Sequence, residues 1–285
     1  MAIQRLLVPL SSEVDTQSAL GSGFLIAQEF NAHLDATFYK TSLGDALSLD
    51  ALENIPGDII SQRVEEQDDC ALQARHHFDT ELEKRKIDRL EAPIPGTKAS
   101  AAWRVSEESP HNGVVHYGGS YDLIVVGRSK HDPTLVPRDL IEPALFQTGR
   151  PVLVAPATAP RSIGSVVLTA WNRSSQSARA VTAAAPFFEV GHNVIVFSVT
   201  TGAKHGPSAS EMGRYLDWHK IKNEVVEVPP DYRSVGEVIL DEAIEREVDL
   251  IVMGAYSHSR LRELLLGGVT RHILENASLP VLMMR

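Results

Sequence analysis

The residues best placed to do chemistry are Gly254-Ala-Tyr-Ser257, then nine residues, then Gly267-Gly268-Val269-Thr270. A glycine ending an apolar strand leaves the chain free to turn. Glycines opening a helix let an anion approach the first-turn N–H groups, where the helix dipole favours negative charge. Phosphate is the anion such a cradle suits. Thr270 adds a hydroxyl, and His258, Arg260 and Arg262 on the connecting segment are able to neutralise phosphate charge. Two further segments, Ala170-Trp171-Asn172 and Val199-Thr200, end apolar runs like the one that ends at Met253-Gly254. Open parallel sheets bind ligands beyond such strand ends. Trp171 suits stacking on a base or packing at a domain interface. The glycines serve equally well as packing devices, because glycine loops are weak signals on their own.

Other chemistries lack their residues. Of the eleven histidines, His76 and His77 are adjacent, so on a helix they point about 100° apart and do not chelate together; a solvated helix face suits them. No His-Glu-x-x-His occurs, and His258 and His272 have no partners at ligand spacing. There is no Gly-x-Ser-x-Gly elbow, no Gly-x4-Gly-Lys-(Ser/Thr) phosphate loop and no Gly-x-Gly-x-x-Gly after the first strand. Cys70 follows Gln-Asp-Asp, and neighbouring acids disfavour a thiolate.

The elements that would hold the glycine segment come in two copies. YDLIVVG at 121–127 returns as VDLIVMG at 248–254, RPVLV at 150–154 as LPVLM at 279–283, and LLVPL at 6–10 as VVLTA at 166–170. A repeat of about 127 residues is a duplicated domain rather than a solenoid unit. In the second copy 165–170, 193–199, 223–228, 249–254 and 280–284 read as strands, and 174–188, 208–220, 233–247 and 260–277 as helices. Short apolar strands alternating with helices predict a parallel sheet covered on both faces. Ser234-Val-Gly-Glu237 has capping-box spacing, and Val235, Ile239, Ala243 and Ile244 form an apolar stripe behind it. In the first copy 5–10, 34–40 and 122–127 read as strands, with 151–155 as its last. A charged helix spans 60–86, 41–60 is irregular, and 105–120 reads as a broken helix.

The chain has 285 residues and 43% hydrophobic content, enough for two cores. The run ATAPRSIG at 157–164 has linker composition, dividing the chain into domains 1–158 and 159–285. A single cysteine excludes an internal disulfide and a cysteine metal cluster, and fits a reducing compartment. No run approaches the ~20 apolar residues of a membrane span, and the N-terminus lacks a signal-peptide core. The expectation is a cytoplasmic protein with no membrane partner. The net charge of −10 argues against a nucleic-acid surface. Residues 1–158 carry 14 basic and 23 acidic residues, against 13 and 14 in 159–285, so an anion meets less repulsion in the second half.

The combination of LLVPL, VDLIVMG, LRELLLGGVTRHIL and LPVLM resembles the universal stress protein family in its tandem form. The resemblance covers nearly the whole chain. It implies two α/β domains, each a five-stranded parallel sheet sandwiched by helices, of the adenine nucleotide alpha hydrolase-like type. It further implies that the domains pair within the chain through 151–155 and 280–284. ATP-binding members are similar in a Gly-x2-Gly-x9-Gly-(Ser/Thr) motif and an Asp after strand one. Here Gly254 and Gly267 match the first and third glycines, Ser257 stands for the second, Gly268 for the Ser/Thr, and Asn172 for the Asp. Asn172 keeps the capacity to hydrogen-bond a ribose hydroxyl. The implied cofactor is ATP or another adenine nucleotide, with no metal beyond nucleotide-associated Mg. The implied ligand set is Ala170, Trp171, Asn172, Thr200, Met253, Gly254, Ser257, His258, Gly267, Gly268, Val269 and Thr270. In the first copy Gly127 is followed by RSKHDPTLVPRDLIEP, Ser11 stands where the Asp would be, and Pro133 and Pro137 remove backbone donors; the site is degenerate there. With no metal-holding carboxylate or positioned base, the chain reads as a regulatory or sensor protein without catalytic residues. An interaction scaffold without nucleotide and a slow ATP hydrolase are the alternatives. A homodimer and an unidentified protein partner complete the expectations.

Overall fold

The structure, a computed structural model, describes residues 2–40, 56–91, 96, 98–200, 206–255 and 268–285. Its contacts divide after Arg150 into two compact units.

The first unit, Ile3–Arg150, contains β1 (Arg5–Leu10), α1 (Thr16–Phe30), β2 (His33–Tyr39), α2 (Gly57–Arg85), β3 (Asp88–Arg89) and β4 (Ser100–Ser106). There follow α3 (Pro110–Tyr117), a 3-10 turn (Gly118–Ser120), β5 (Leu123–Val126) and α4 (Arg138–Gln147). The strand order is β3-β4-β2-β1-β5, with every recorded pairing parallel. Helix α1 lies close on the sheet because its middle is Gly21-Ser22-Gly23. A Cβ on Gly23 would stand 2.8 Å from Val8 Cγ2. Helix α2 buries only Gln67, Ala71, Ala74 and Phe78, a single stripe along 29 residues.

The second unit, formed mainly by Pro151–Arg285, contains β6 (Val152–Val154), β7 (Val166–Ala170), α5 (Ser175–Val190), β8 (Asn193–Val199), α6 (Ala209–Trp218) and β9 (Asn223–Val228). It ends with α7 (Val235–Glu245), β10 (Leu250–Gly254), α8 (Gly268–Asn276) and β11 (Val281–Met284). The order is β6-β11-β10-β7-β8-β9. Strands β7 to β11 are parallel, and β6 runs antiparallel to β11, with Val154 opposite Val281 and Val152 opposite Met283. This is the parallel α/β sheet that the strand–helix alternation predicts.

The repeated aspartate has one job in both units. Asp249 Oδ1 accepts from the N–H groups of Gly164 and Val166, each at 3.0 Å. Asp122 Oδ2 accepts from Gln4 and Arg5 N–H at 2.9 and 3.0 Å. Each carboxylate satisfies the donors that lead into a central strand, β1 or β7, and so holds the register of the central strand pair.

Three expectations are corrected. Residues 105–120 are not a broken helix: the end of β4 occupies the start, and Ser109 then caps α3 by accepting from Asn112 N–H. The irregular stretch 41–60 overlaps α2, which begins at Gly57, while 41–55 lie outside the described residues. Ile244 is not on the buried stripe of α7; it is 68% exposed, and Val238, Ile239 and Ala243 carry the packing. The Ser234–Glu237 capping box forms with both bonds.

At the amino ends of the strands in the first unit, buried Asp35 accepts from Arg5 Nη2 at 2.9 Å and Arg104 Nε at 3.1 Å. His33 Nε2 lies 3.5 Å from its Oδ1, and His33 Nδ1 is 2.8 Å from Ser100 Oγ. Burial alone would raise the Asp35 pKa. The bonds from His33, Arg5 and Arg104 outweigh it and hold the carboxyl well below the usual range.

Candidate functional site

The sheet of the second unit sets Ala170 and Met253 side by side in register, with Met283 beyond. These residues define the carboxyl edge where the predicted ligand residues gather. Met253 is buried in the sheet and Gly254 pairs with Met284 as the last residue of β10. Gly254 does not have the positive φ that would demand glycine. It is small for another reason. A Cβ there would stand 2.5 Å from the Ser177 backbone N and 2.7 Å from the Gln176 carbonyl carbon. The first turn of α5 rests directly on the end of β10, so this glycine admits a helix rather than a ligand.

Trp171 is 3% exposed. Its backbone N–H donates to Phe197 C=O at 2.8 Å, and its indole N–H to Pro207 C=O at 2.9 Å. Both bonds tie the turn after β7 to β8 and to the segment that follows β8, and the buried ring takes the packing role. A second clamp stands beside it: Gly206, at φ +112°, would place a Cβ 2.9 Å from Arg173 C=O. Arg173 itself has φ +65°. Gly206 and Pro207 were not among the predicted residues. Their glycine-proline pair is a turn signal, but its partner lies over 30 residues away.

Asn172 is exposed. Its Oδ1 accepts from Ser174 N–H at 3.1 Å and Ser174 O–H at 2.6 Å. Ser174 in turn caps α5 by accepting from Ser177 N–H at 3.1 Å. Asn172 therefore shapes the turn with its oxygen, while its Nδ2 has no hydrogen-bond partner among the described residues. Thr200 is exposed and donates its N–H to Val228 C=O.

Helix α8 begins at Gly268, which is exposed, and a Cβ there would meet no described residue within 4 Å. Val269 is half-buried and Thr270 buried. The opposite end of the packing is tight: a Cβ on Gly236 of α7 would stand 2.7 Å from the His272 ring, which seats α8 against its neighbour. Among the described residues, the first turn of α8 thus combines an open approach at Gly268 with a seated helix. Ser257, His258, Gly267, Arg260 and Arg262 lie outside the described residues.

The corresponding edge of the first unit is filled by main chain. After Gly127 the chain turns back on the segment that follows β1. Val14 and Ser129 form an antiparallel bridge, Asp15 N–H donates to Arg128 C=O at 2.8 Å, and Lys130 N–H donates to Glu13 C=O at 2.9 Å. Arg128 is 2% exposed and donates to Pro133 C=O at 3.2 Å; burial lowers its pKa. Ser11, where the family's Asp would stand, is buried and accepts from Glu13 N–H.

His77 departs from the solvated face expected for it, since its Nδ1 lies 2.7 Å from Thr16 Oγ1 on α1. Among the described residues no three His, Cys, Asp or Glu side chains are placed to hold a metal, and no helix is long and apolar enough to cross a membrane.

Comparison with known proteins follows this geometry. The model of the universal stress protein family matches residues 165–285. The curated Universal stress protein Slr1230 of Synechocystis is 41% identical over 49 residues, and this match spans 17% of the chain and 17% of that protein's length. The fold extends further. A universal stress protein from Archaeoglobus fulgidus aligns over 99% of this chain and 98% of its own, with TM-score 0.69 and 16% identity. A putative universal stress protein from Pseudomonas aeruginosa aligns over 99% and 93%, with TM-score 0.55 and 17% identity. The chain therefore carries a segment, 165–285, that matches the universal stress protein family, and along its length it shares the fold of the solved universal stress proteins.

Proposed function

We propose that the protein is a stress-response regulator or sensor that binds an adenine nucleotide in its second half. One observation carries this reading: among the described residues, nothing covers the first turn of α8 at Gly268, beyond the carboxyl edge of the sheet. Helix starts of this kind take phosphate on their N–H groups. The N–H groups of Gly268, Val269 and Thr270 would hold the phosphates, with Asn172 Nδ2 near the ribose. The exposed helix start at Gly268 and the Asn172 Nδ2, which has no partner among the described residues, support this placement. Bound nucleotide would supply an anionic phosphate chain, with Mg as its counter-ion, that orders the α8 start. The near-neutral charge of 159–285 supports the same placement.

In this reading the chain is two universal stress protein-like domains, 1–158 and 159–285, acting in the cytoplasm, and the first keeps no nucleotide. The bridge between Val14 and Ser129 supports that asymmetry.

Calorimetry with ATP tests the reading. Gly268→Asp puts a carboxylate where a phosphate would sit, and a helix N-terminus tolerates it well. Affinity should fall at least tenfold, about 1.4 kcal/mol, without loss of thermal stability. Ser257→Gly should restore the family's second glycine and tighten binding. No heat from the wild type or from Ser257→Gly at millimolar ATP would leave the scaffold reading in place of this one.

A further inference from the structure

Strand β9 is the outer strand of its sheet: it pairs with β8 and with no other strand among the described residues. One hydrogen bond fixes which of its backbone groups are free. Thr200 N–H donates to Val228 C=O at 2.9 Å, so Val228 turns its backbone toward β8. By the two-residue period of a strand, Val226 and Glu224 do likewise. Asn223, Val225 and Glu227 then direct their N–H and C=O groups outward.

These three residues are symmetric about Val225. An antiparallel copy of β9 that sets Val225 opposite Val225 also sets Asn223 opposite Glu227, and every outward group is used. In that register no glutamate faces another across the strands, because Glu224 falls opposite Val226 and Glu227 opposite Asn223. The strand is also charged by ends. Lys220 and Lys222 precede it and Glu227 stands near its exit, all exposed and none held in an ion pair among the described residues. Antiparallel approach brings the basic entry of one copy beside the acidic exit of the other.

Exposed apolar side chains flank this edge. Val225 lies on the α6 side, where its methyl would touch a Cβ on Gly213. Trp218 ends α6 and is 87% exposed. The preceding residue, Asp217, accepts from Asn223 Nδ2 at 2.9 Å and so fixes that helix end over the strand's start. On the other face Arg246, two residues after exposed Ile244, bonds Glu224 at 3.1 Å. Natural edge strands are guarded against such pairing. Here the guard is Pro229-Pro230, which ends the strand without covering it.

We propose that the protein forms a two-fold dimer by pairing the β9 edges of two copies, an isologous contact. The edge is separate from β6 and β11, and from the α8 start.

The test uses the full chain. Sedimentation velocity should show a concentration-dependent dimer in the micromolar range. Hydrogen exchange should show the amides of Asn223, Val225 and Glu227 gaining protection with concentration, while those of Glu224 and Val226 are protected throughout. Val225→Pro removes the central outward donor, which bonds nothing among the described residues, and edge strands tolerate proline at such positions. It should weaken the dimer at least tenfold and leave the circular dichroism unchanged. Tyr232→Ser, at an exposed aromatic outside the edge, should leave the dimer intact. A monomer at all concentrations overturns the proposal. So does a wild-type dimer in which the three amides exchange freely, since that places the interface elsewhere or assigns the edge to another protein.

Discussion

Gly254 and Gly268 look alike in the sequence, as the two ends of one glycine-bearing segment, yet the same substitution should act on them in opposite ways. Gly254→Ala would place a methyl 2.5 Å from the Ser177 backbone N and 2.7 Å from the Gln176 carbonyl carbon. Ordinary contacts at those atoms need about an ångström more, and neither atom belongs to a flexible side chain. Strand β10 is clamped by β7 and β11, and α5 is fixed by its Ser174 cap, so the strain has no cheap outlet. Overpacking of this sort costs about 1–3 kcal/mol, and backbone contact places Gly254→Ala near the upper end. For a unit of this size each kcal/mol lowers the melting temperature by roughly 3–5 °C, so about 3 kcal/mol means a fall of roughly 9–15 °C. Gly268→Ala meets no described residue within 4 Å. It should be neutral, or gain up to about 1 kcal/mol through the unfolded chain. Chemical denaturation followed by circular dichroism, with both variants beside wild type, measures the difference. Equal stability of Gly254→Ala and wild type would refute the steric account of this glycine. A destabilised Gly268→Ala would refute the open space at α8.

Asp249→Ala removes two backbone donors' acceptor and should cost about 1–3 kcal/mol, with Asp249→Asn costing less because an acceptor remains; urea titration of both reads the order. Asp35 contributes to acid stability: its folded pKa is depressed, so its stabilisation is fully present above the unfolded value of about 4 and is lost as pH falls below it. Asp35→Asn should flatten the stability-versus-pH curve below about pH 4, as followed by melting at each pH. Trp171→Phe keeps the packed ring but loses the bond to Pro207, so it should cost about 1 kcal/mol by thermal melt.

The second unit's strands were legible to within a residue because each is a continuous β-branched run bounded by polar segments. Strand β4 was not legible: its buried part is Ser100-Ala101-Ala102, small residues without a strand's composition, and only its place beside β2 makes them extended. The repeat of Asp-Leu-Ile-Val announced a duplicated strand but not the purpose of its aspartate. That purpose depends on N–H groups 83 to 118 residues away in the chain. The site divides in the same way. Its edge, Ala170 with Met253, follows from strand order, whereas the steric role of Gly254 and the clamp of Trp171 on Pro207 depend on contacts between distant segments that no local pattern encodes.

The short strand β6 belongs to the first copy of the repeat by ancestry and to the second unit by contact. Heredity and cooperativity thus divide this chain at different bonds. A fragment beginning at the linker, residue 159, inherits a complete repeat yet lacks the strand that covers β11, leaving Val281, Leu282 and Met283 at a bare edge. A fragment beginning at Pro151 is untidy as a repeat but carries its own cover. Dissection of the protein for separate study should therefore follow the contact boundary rather than the edge of the repeat.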